Sequence, residues 1–305
     1  MRNSALVFAF ASTLVWNVGI RDSDAAPKKK GAAAGGKAGP ACGAKVLPLV
    51  VGNSWTYHQA PAPAALPENL ARLAPAQPKQ IVVSVTAIEN KGGDTHVTLE
   101  EKHTFDLSRD PKEPKLAEHV VKATIVCNEK GKFDISPEAF YFAGEPGGFY
   151  GLTFDKFDRK KETSLKLTKG AIGENEWIEE ISAHFTRQAT KGEAKLSGGK
   201  LELERKFIPQ QLESVVTKLG SYKAEKLAVT TTGRVVLDDR LAPNGKPCSG
   251  KAIDPATKAE TVVPTEICEL PANWINQLWL VEGVGVVQAL NSYAHMYQLV
   301  ESNVK

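Results

Sequence analysis

The sequence lacks the patterns that announce the common enzyme classes. It has no Gly-x-Ser-x-Gly segment, which removes the serine hydrolases that carry their nucleophile on that turn. Its six histidines never form a His-x-x-x-His pair and never lie beside a cysteine pair, so no zinc-binding spacing is present. We therefore predict no catalytic residue, no metal and no cofactor; the alternative is a metal site assembled from distant strands.

Cysteine is scarce. The chain has four cysteines, and four cysteines allow three disulfide connectivities. Cys248 and Cys268 flank one turn-rich segment, which favours their pairing and leaves Cys42 with Cys127 by elimination. The alternative for Cys42 is lipid attachment, although the residue three positions before it is not aliphatic, as a lipoprotein motif requires.

Long apolar runs are absent except at the N-terminus. Residues 5–20 are mostly apolar, follow Arg2 and precede the small residues Ser23 and Ala25, which is the layout of a secretory signal peptide. The run is shorter than the roughly 20 residues that a membrane span needs. We predict a signal peptide over residues 1–26, cleaved near residues 25–26, and a periplasmic or extracellular protein.

Acidic residues are missing from residues 27–45, a Gly/Ala/Lys stretch that we predict to be a flexible linker. Its five lysines carry more positive charge than the formal net charge of +3 of the whole chain, so the remaining residues together are slightly acidic. A near-neutral body gives no electrostatic reason to expect a nucleic acid partner.

Strand patterns fill residues 46–305. Residues 81–88 are β-branched, residues 97–105 alternate, and a Gly-Gly turn between them predicts a hairpin. The other predicted strands are a second hairpin over 177–207, single strands at 118–128, 149–157 and 223–238, and two strands within 278–298 around Asn291. We predict one all-β, mainly antiparallel domain, as a curved sheet, half-barrel or sandwich with few short helices.

Three segments imitate parts of an ATP-driven transporter ATPase: residues 31–38, 196–200 and 235–239. A phosphate-binding loop needs a strand before it and a helix after it, so that backbone N–H groups converge on the phosphates. Here the loop lies in low complexity and has Ala38 where Mg²⁺ needs a hydroxyl. We predict no nucleotide binding, and we interpret Gly283 with its neighbours as a bulge or tight turn.

Aromatic residues are few overall, but four of them lie close together near the C-terminus: Trp274, Trp279, Tyr293 and Tyr297. Core packing is the favoured role, because aromatic side chains dominate core burial. The alternative is an apolar groove that binds a lipid or a peptide. The adjacent carboxylates Glu100-Glu101 and Glu179-Glu180 should face opposite sides of their strands, and we predict solvated faces for them rather than an acid/base pair.

Three segments resemble, in the expected order, uncharacterised exported proteins of Gram-negative bacteria. Residues 47–57 resemble their opening PL-x-x-G-N-x-W-x-Y, and residues 220–227 resemble G-[ST]-[FY]-x-A-x-K-[LV]. Residues 279–287 resemble W-[FL]-x-x-G-V-G-x-V, and Tyr-x-Leu follows at 297–299. The resemblance implies a curved sheet similar to the periplasmic lipoprotein-carrier fold, with a concave apolar face under a cover. It implies no activity, and residues 111–207 depart from it.

Three functions remain open. The first is a non-enzymatic exported β protein that binds an apolar ligand or an envelope partner. The second is a structural or adhesive surface protein whose basic tail touches anionic envelope material. The third is an envelope hydrolase that uses scattered His and Asp residues.

Overall fold

The computed structural model describes residues 41–43, 46–61, 77–106, 108, 115–128, 133–135, 139–143, 152–161, 176–187, 198–237, 249–264 and 269–304. This part of the chain is nearly all strand, with a 3-10 turn at Ala41–Gly43 and one short helix, α1, at Phe140–Ala143. The strands are β1 Ser54–Ala60, β2 Gln80–Lys91, β3 Asp94–Asp106, β4 Leu116–Cys127, β5 Phe133–Ile135, β6 Leu152–Lys161, β7 Trp177–Arg187, β8 Gly199–Thr217, β9 Gly220–Leu237, β10 Ser249–Ile253, β11 Glu260–Pro264, β12 Glu269–Val281, β13 Gly285–Leu290 and β14 Met296–Ser302.

Twelve strands form one open antiparallel sheet in the order β5-β4-β3-β2-β1-β14-β13-β12-β9-β8-β7-β6, and β10 pairs with β11 as a separate hairpin. The predicted all-β antiparallel class is confirmed. Most sheet neighbours are also neighbours in sequence, as in a meander. The exceptions are β9–β12, which flank the β10–β11 hairpin, and β1–β14, which join two ends of the chain at the middle of the sheet.

Successive side chains along each strand point to opposite faces of the sheet, so the two faces carry different residues. On β1 the buried side chains are Trp55 and Tyr57, and on β2 they are Ile81, Val83 and Val85. Trp55 pairs with Val83 and Tyr57 pairs with Ile81, so these side chains share one face, which we call the inner face. The opposite side of the sheet is the outer face.

A large cluster of buried hydrophobic side chains connects most strands of the sheet. It draws on β1–β5, α1, β7–β9 and β12–β14, and it includes Val46, Leu47 and Leu49 ahead of β1. Burying an aliphatic or aromatic side chain of this size stabilises a fold by about 1.5–3 kcal/mol. The core therefore connects both halves of the sheet across the central pair β1–β14.

A disulfide fixes the start of the described chain. Cys42 is bonded to Cys127 at the end of β4, with their Cα atoms 5.5 Å apart. This is the pair that the sequence left by elimination, and it draws Ala41–Gly43 out of the predicted linker and onto the fold. The Cys42 sulfur is thereby committed, so it has no thiol for a lipid. Cys248, Cys268 and residues 1–26 lie outside the described residues, so their assignments stay predictions.

The C-terminal part differs from expectation because it holds three strands instead of two. β12 ends at Val281 and β13 begins at Gly285, with a tight turn between them in which Gly283 has φ 75° and Gly285 has φ 99°. Such positive φ values favour glycine, and the predicted turn at Gly283 is confirmed. The second turn, at Asn291, is also where it was predicted.

Residues 249–264 form the β10–β11 hairpin where the sequence indicated only a turn-rich loop. Asp254 begins the turn, since its carboxylate accepts the backbone N–H groups of Ala256 and Thr257 at 2.7 and 3.2 Å. Ile253 is 61% exposed. Within the described ranges, no helix is long and apolar enough to cross a membrane.

Candidate functional site

Helix α1 covers the centre of the inner face. The Tyr141 ring lies 4.5 Å from that of Trp55, and the Phe140 ring lies 5.0 Å from Tyr57 and 5.5 Å from Tyr297. All five rings are buried. The place where the resemblance implied a concave apolar face under its cover is therefore packed with protein side chains.

A buried carboxylate holds α1 in this position. Glu101 accepts the backbone N–H of Phe140 at 2.8 Å through Oε2 and that of Tyr141 at 3.0 Å through Oε1. His103 Nε2 lies 3.3 Å from Glu101 Oε2, and both side chains are fully buried. The predicted solvated role was wrong for Glu101, because the orphan N–H groups of a helix start need acceptors. Glu100, on the opposite side of β3, is exposed as predicted.

Two tyrosines of this cluster, Tyr57 and Tyr141, have raised pKa values. Burial raises the pKa of Tyr57 well above its ordinary value, and the nearby Tyr141 and Glu101 raise it further. Burial also raises the pKa of Tyr141. Tyr57 donates its hydroxyl proton to the Val286 carbonyl at 2.8 Å, so the phenol stays neutral and ties β1 to β13.

A buried ion pair lies on β7 and β8. Arg205 Nε donates to Glu179 Oε1 at 2.6 Å, and its Nη2 contacts the same oxygen. The guanidinium lies 5.5 Å over the Phe207 ring, which stacks on Trp177 at 4.6 Å. Again the predicted solvated role was wrong for one member of an adjacent pair, since Glu179 is buried and Glu180 is exposed. Glu179 is buried because Arg205, a residue distant in sequence, pairs with it, and the spacing of residues along one strand does not show such a partner.

The aromatic candidates do not line one groove. Trp279 pairs with Gln288 on the outer face, whereas Tyr297 pairs with Ala289 on the inner face, and both aromatic side chains are buried. Tyr293 is half-buried in the turn after Asn291. Trp274 lies in β12 opposite Thr231, and its side chain is outside the described residues.

The distal part of the β8–β9 hairpin, residues 212–225, covers Trp279; we call it the arm. Trp279 Nε1 donates to Glu213 Oε2 at 2.8 Å, and Lys226 Nζ lies 2.8 Å from Glu213 Oε1 and 5.1 Å over the Trp279 ring. The hydrogen bonds from Lys226 and Trp279 lower the pKa of Glu213. Gln298 Nε2 donates to the Val216 carbonyl at 3.3 Å, which fastens the arm to β14.

The arm has one covered face and one free face. Val215 and Ala224 are buried against the sheet. On the free face and at the tip, three apolar side chains are well exposed: Leu212 at 65%, Val216 at 68% and Leu219 at 46%. Sequence reasoning missed this surface. The available signal was apolar residues on both faces of a hairpin end that has Lys-Leu-Gly at its turn.

The polar surfaces of the described residues are weaker candidates for a binding site than the arm. A shallow depression of about 400 Å³ over β7–β9 is lined by Glu180, Glu202 and Glu204 among others. Glu202 is already paired with Lys200 and Arg234 at 2.5 and 2.6 Å. In the part of the chain that the structure describes, no three His, Cys, Asp or Glu side chains are grouped to hold a metal ion.

No known family and no curated protein matches the sequence. Two solved structures are similar in shape. One is a protein predicted to be exported, with a YmcC-like fold, from Bacteroides fragilis, with 10% identity, a TM-score of 0.40, and coverage of 84% of this chain and 98% of that one. The other is a predicted lipoprotein from Parabacteroides distasonis, with 11% identity, a TM-score of 0.42, and coverage of 85% and 98%. The likeness to the lipoprotein-carrier fold stays a prediction.

Proposed function

We propose that the protein is exported to the cell envelope and acts there by binding a partner, without catalysis. Two independent features support export. The first is the signal-peptide layout of residues 1–26. The second is the Cys42–Cys127 disulfide, a bond that persists in oxidising compartments and is rare in the cytosol.

The proposal of a role without catalysis is supported by the contacts of the buried ionisable residues. Glu101 holds the start of α1, and Glu179 pairs with Arg205. A hydrolase needs such groups at an open cleft where substrate can reach them. Here both carboxylates are engaged inside the fold, which favours a scaffold over an enzyme.

The packing of α1 also narrows the kind of partner. Phe140 and Tyr141 occupy the centre of the inner face, which counts against an apolar ligand enclosed at that place. The arm, by contrast, presents exposed Leu212 and Val216 to the outside. An envelope partner that docks on the outer surface therefore fits the geometry better than an enclosed lipid.

Cell fractionation combined with native mass spectrometry tests this function. We expect the protein in the envelope fraction, with a mature N-terminus near residue 26, Cys42 oxidised, and no stoichiometric lipid in its native mass. Retention in the cytoplasm with reduced Cys42 would contradict export. A firmly held lipid that survives delipidating washes would contradict the packed inner face, and turnover of an envelope polymer would contradict the binding role.

A further inference from the structure

We propose that the free face of the arm is a docking surface for an anionic lipid bilayer. This inference rests on the proposed envelope function, because it names the partner that the protein meets there. It is carried by the apolar residues at the end of the hairpin, by the lysines among them, and by the way in which the arm is fastened to the sheet.

The apolar residues lie where a bilayer can reach them together. Leu212 and Val216 are four positions apart on β8, so both point away from buried Val215 and onto the same free face. Leu219 lies in the turn between Thr217 and Gly220, which pair with each other and close the hairpin. The three side chains are grouped on one hairpin end, and grouped exposed apolar side chains are typical of interaction surfaces.

The charged residues near the tip of the arm are lysines. Lys218 lies in the turn, and Lys223 pairs with Ser214 on the same face as Val216; both lysines are exposed. Glu225, opposite Leu212, lies at the base of the arm, farther from the tip. Lysines beside apolar residues attract anionic headgroups while the apolar side chains enter the interface.

The arm is held in place before any partner arrives. Glu213 accepts from Trp279 and pairs with Lys226, and the Val216 carbonyl accepts from Gln298. These contacts all use the covered face or the backbone and leave the free face unengaged by them. A surface that is already ordered loses little conformational entropy on docking.

The size of the patch favours a bilayer over a second copy of the chain. A stable protein interface buries about 1,200 Å² or more in total, with a well-packed centre. Three apolar side chains separated by Ser214 and Lys218 cannot supply such a centre. A bilayer has no fixed shape to match, so it can accept a hairpin end that has Val216 and Leu219 near the tip and Leu212 nearer the base.

Vesicle flotation of the full purified protein tests the proposal. The probe is vesicles of phosphatidylglycerol mixed with phosphatidylcholine, compared with phosphatidylcholine alone. We expect the unmodified protein to bind the anionic vesicles. The triple variant Leu212→Ser/Val216→Ser/Leu219→Ser should bind them at least about tenfold more weakly, because it has less apolar surface to bury in the interface. Lys218→Gln/Lys223→Gln should weaken anionic binding by about fivefold for each lysine and reduce its salt dependence.

A matched control comes from three apolar residues with similar exposure elsewhere on the sheet: Leu116 at 65%, Val120 at 49% and Ile275 at 57%. The triple serine variant at these positions should bind vesicles like the unmodified protein. As a second readout, brominated phosphatidylglycerol should quench the added tryptophan of Leu219→Trp but not that of Ile253→Trp, which lies on the β10–β11 hairpin.

Equal vesicle binding by the arm variant and the control variant would overturn the proposal, as would equal quenching at positions 219 and 253. A dimer in sedimentation that the arm variant dissolves would show instead that a second copy docks there. If the arm variant keeps its vesicle binding while the protein still fractionates with the envelope, the lipid proposal fails and the envelope function stands.

Discussion

Glu101 and Phe140 are joined across 39 positions of sequence, because Oε2 of the buried β3 carboxylate accepts the Phe140 backbone N–H at 2.8 Å. The same carboxylate accepts the N–H of Tyr141. A strand side chain thus supplies the cap of a one-turn helix that could not persist alone, since nucleating a helical turn is unfavourable. The helix in turn delivers two aromatic rings to the inner face.

The first prediction concerns this cap. Glu101→Ala removes both acceptors and leaves two buried N–H groups without them, so the free energy of unfolding should fall by about 3 kcal/mol or more. Glu100→Ala, on the exposed side of the same strand, should change it by less than about 0.5 kcal/mol. Urea unfolding followed by tryptophan fluorescence measures both. Equal effects at the two positions would contradict the capping role.

The second prediction concerns the buried ion pair. Arg205→Ala strands the buried Glu179 carboxylate and should lower the free energy of unfolding by about 3–5 kcal/mol. Arg234→Ala removes an exposed partner of Glu202, and its effect should stay below about 1 kcal/mol. Replacing the pair by Arg205→Met with Glu179→Leu should recover most of the loss, because an apolar pair leaves no unpaired charge. A double variant no more stable than Arg205→Ala would contradict this account.

The third prediction concerns the turn under α1. A Cβ at Gly285 would lie 2.2 Å from the Tyr141 hydroxyl, whereas a Cβ at Gly283 would meet no atom within 4 Å. Both glycines have positive φ, so Gly285→Ala should destabilise by about 2–4 kcal/mol and Gly283→Ala by about 1–2 kcal/mol. Thermal unfolding compares them. In a Tyr141→Phe background the effect of Gly285→Ala should shrink, and an unchanged effect would show that Tyr141 is not the obstacle.

The sequence predicted local features well and long-range ones poorly, for a physical reason. The β2–β3 hairpin is readable because alternation and a Gly-Gly turn are local signals. The β1–β14 pairing and the contact between Glu101 and α1 depend on residues far apart in sequence, so no short pattern encodes them. The predictions that Glu101 and Glu179 are solvated were wrong for this reason, because a charged side chain can be buried only where a distant partner compensates it.

The aromatic candidates show the same limit. Their favoured role, core packing, follows from their chemistry, and Trp279 and Tyr297 are indeed buried. Which face each one occupies depends on sheet register, and one residue of register exchanges the faces. A groove that joins Trp279 with Tyr297 therefore could not be judged from spacing, and the register places them on opposite sides of the sheet.

The last prediction is a second disulfide, between Cys248 and Cys268. Both cysteines lie outside the described residues, which begin again at Ser249 and at Glu269. Ser249 pairs directly with Pro264 at the open end of the β10–β11 hairpin, and β12 begins at Glu269. Cys248 therefore precedes one paired residue, and Cys268 lies four positions beyond the other. Four residues are enough to return the chain, so the two Cα atoms can come within the roughly 7 Å that a disulfide spans.

Peptide mapping under non-reducing conditions decides the matter, with the Cys42–Cys127 link as an internal reference in the same digest. We expect a linked 248–268 peptide pair in protein recovered from the envelope. Because the bond would close the loop between the two cysteines, Cys248→Ser/Cys268→Ser should lower the free energy of unfolding by roughly 3 kcal/mol on the chain-entropy account. Free thiols at both positions, or a link from Cys127 to Cys248, would refute the pairing. A stability loss without a linked peptide would mean that the two side chains act only by packing.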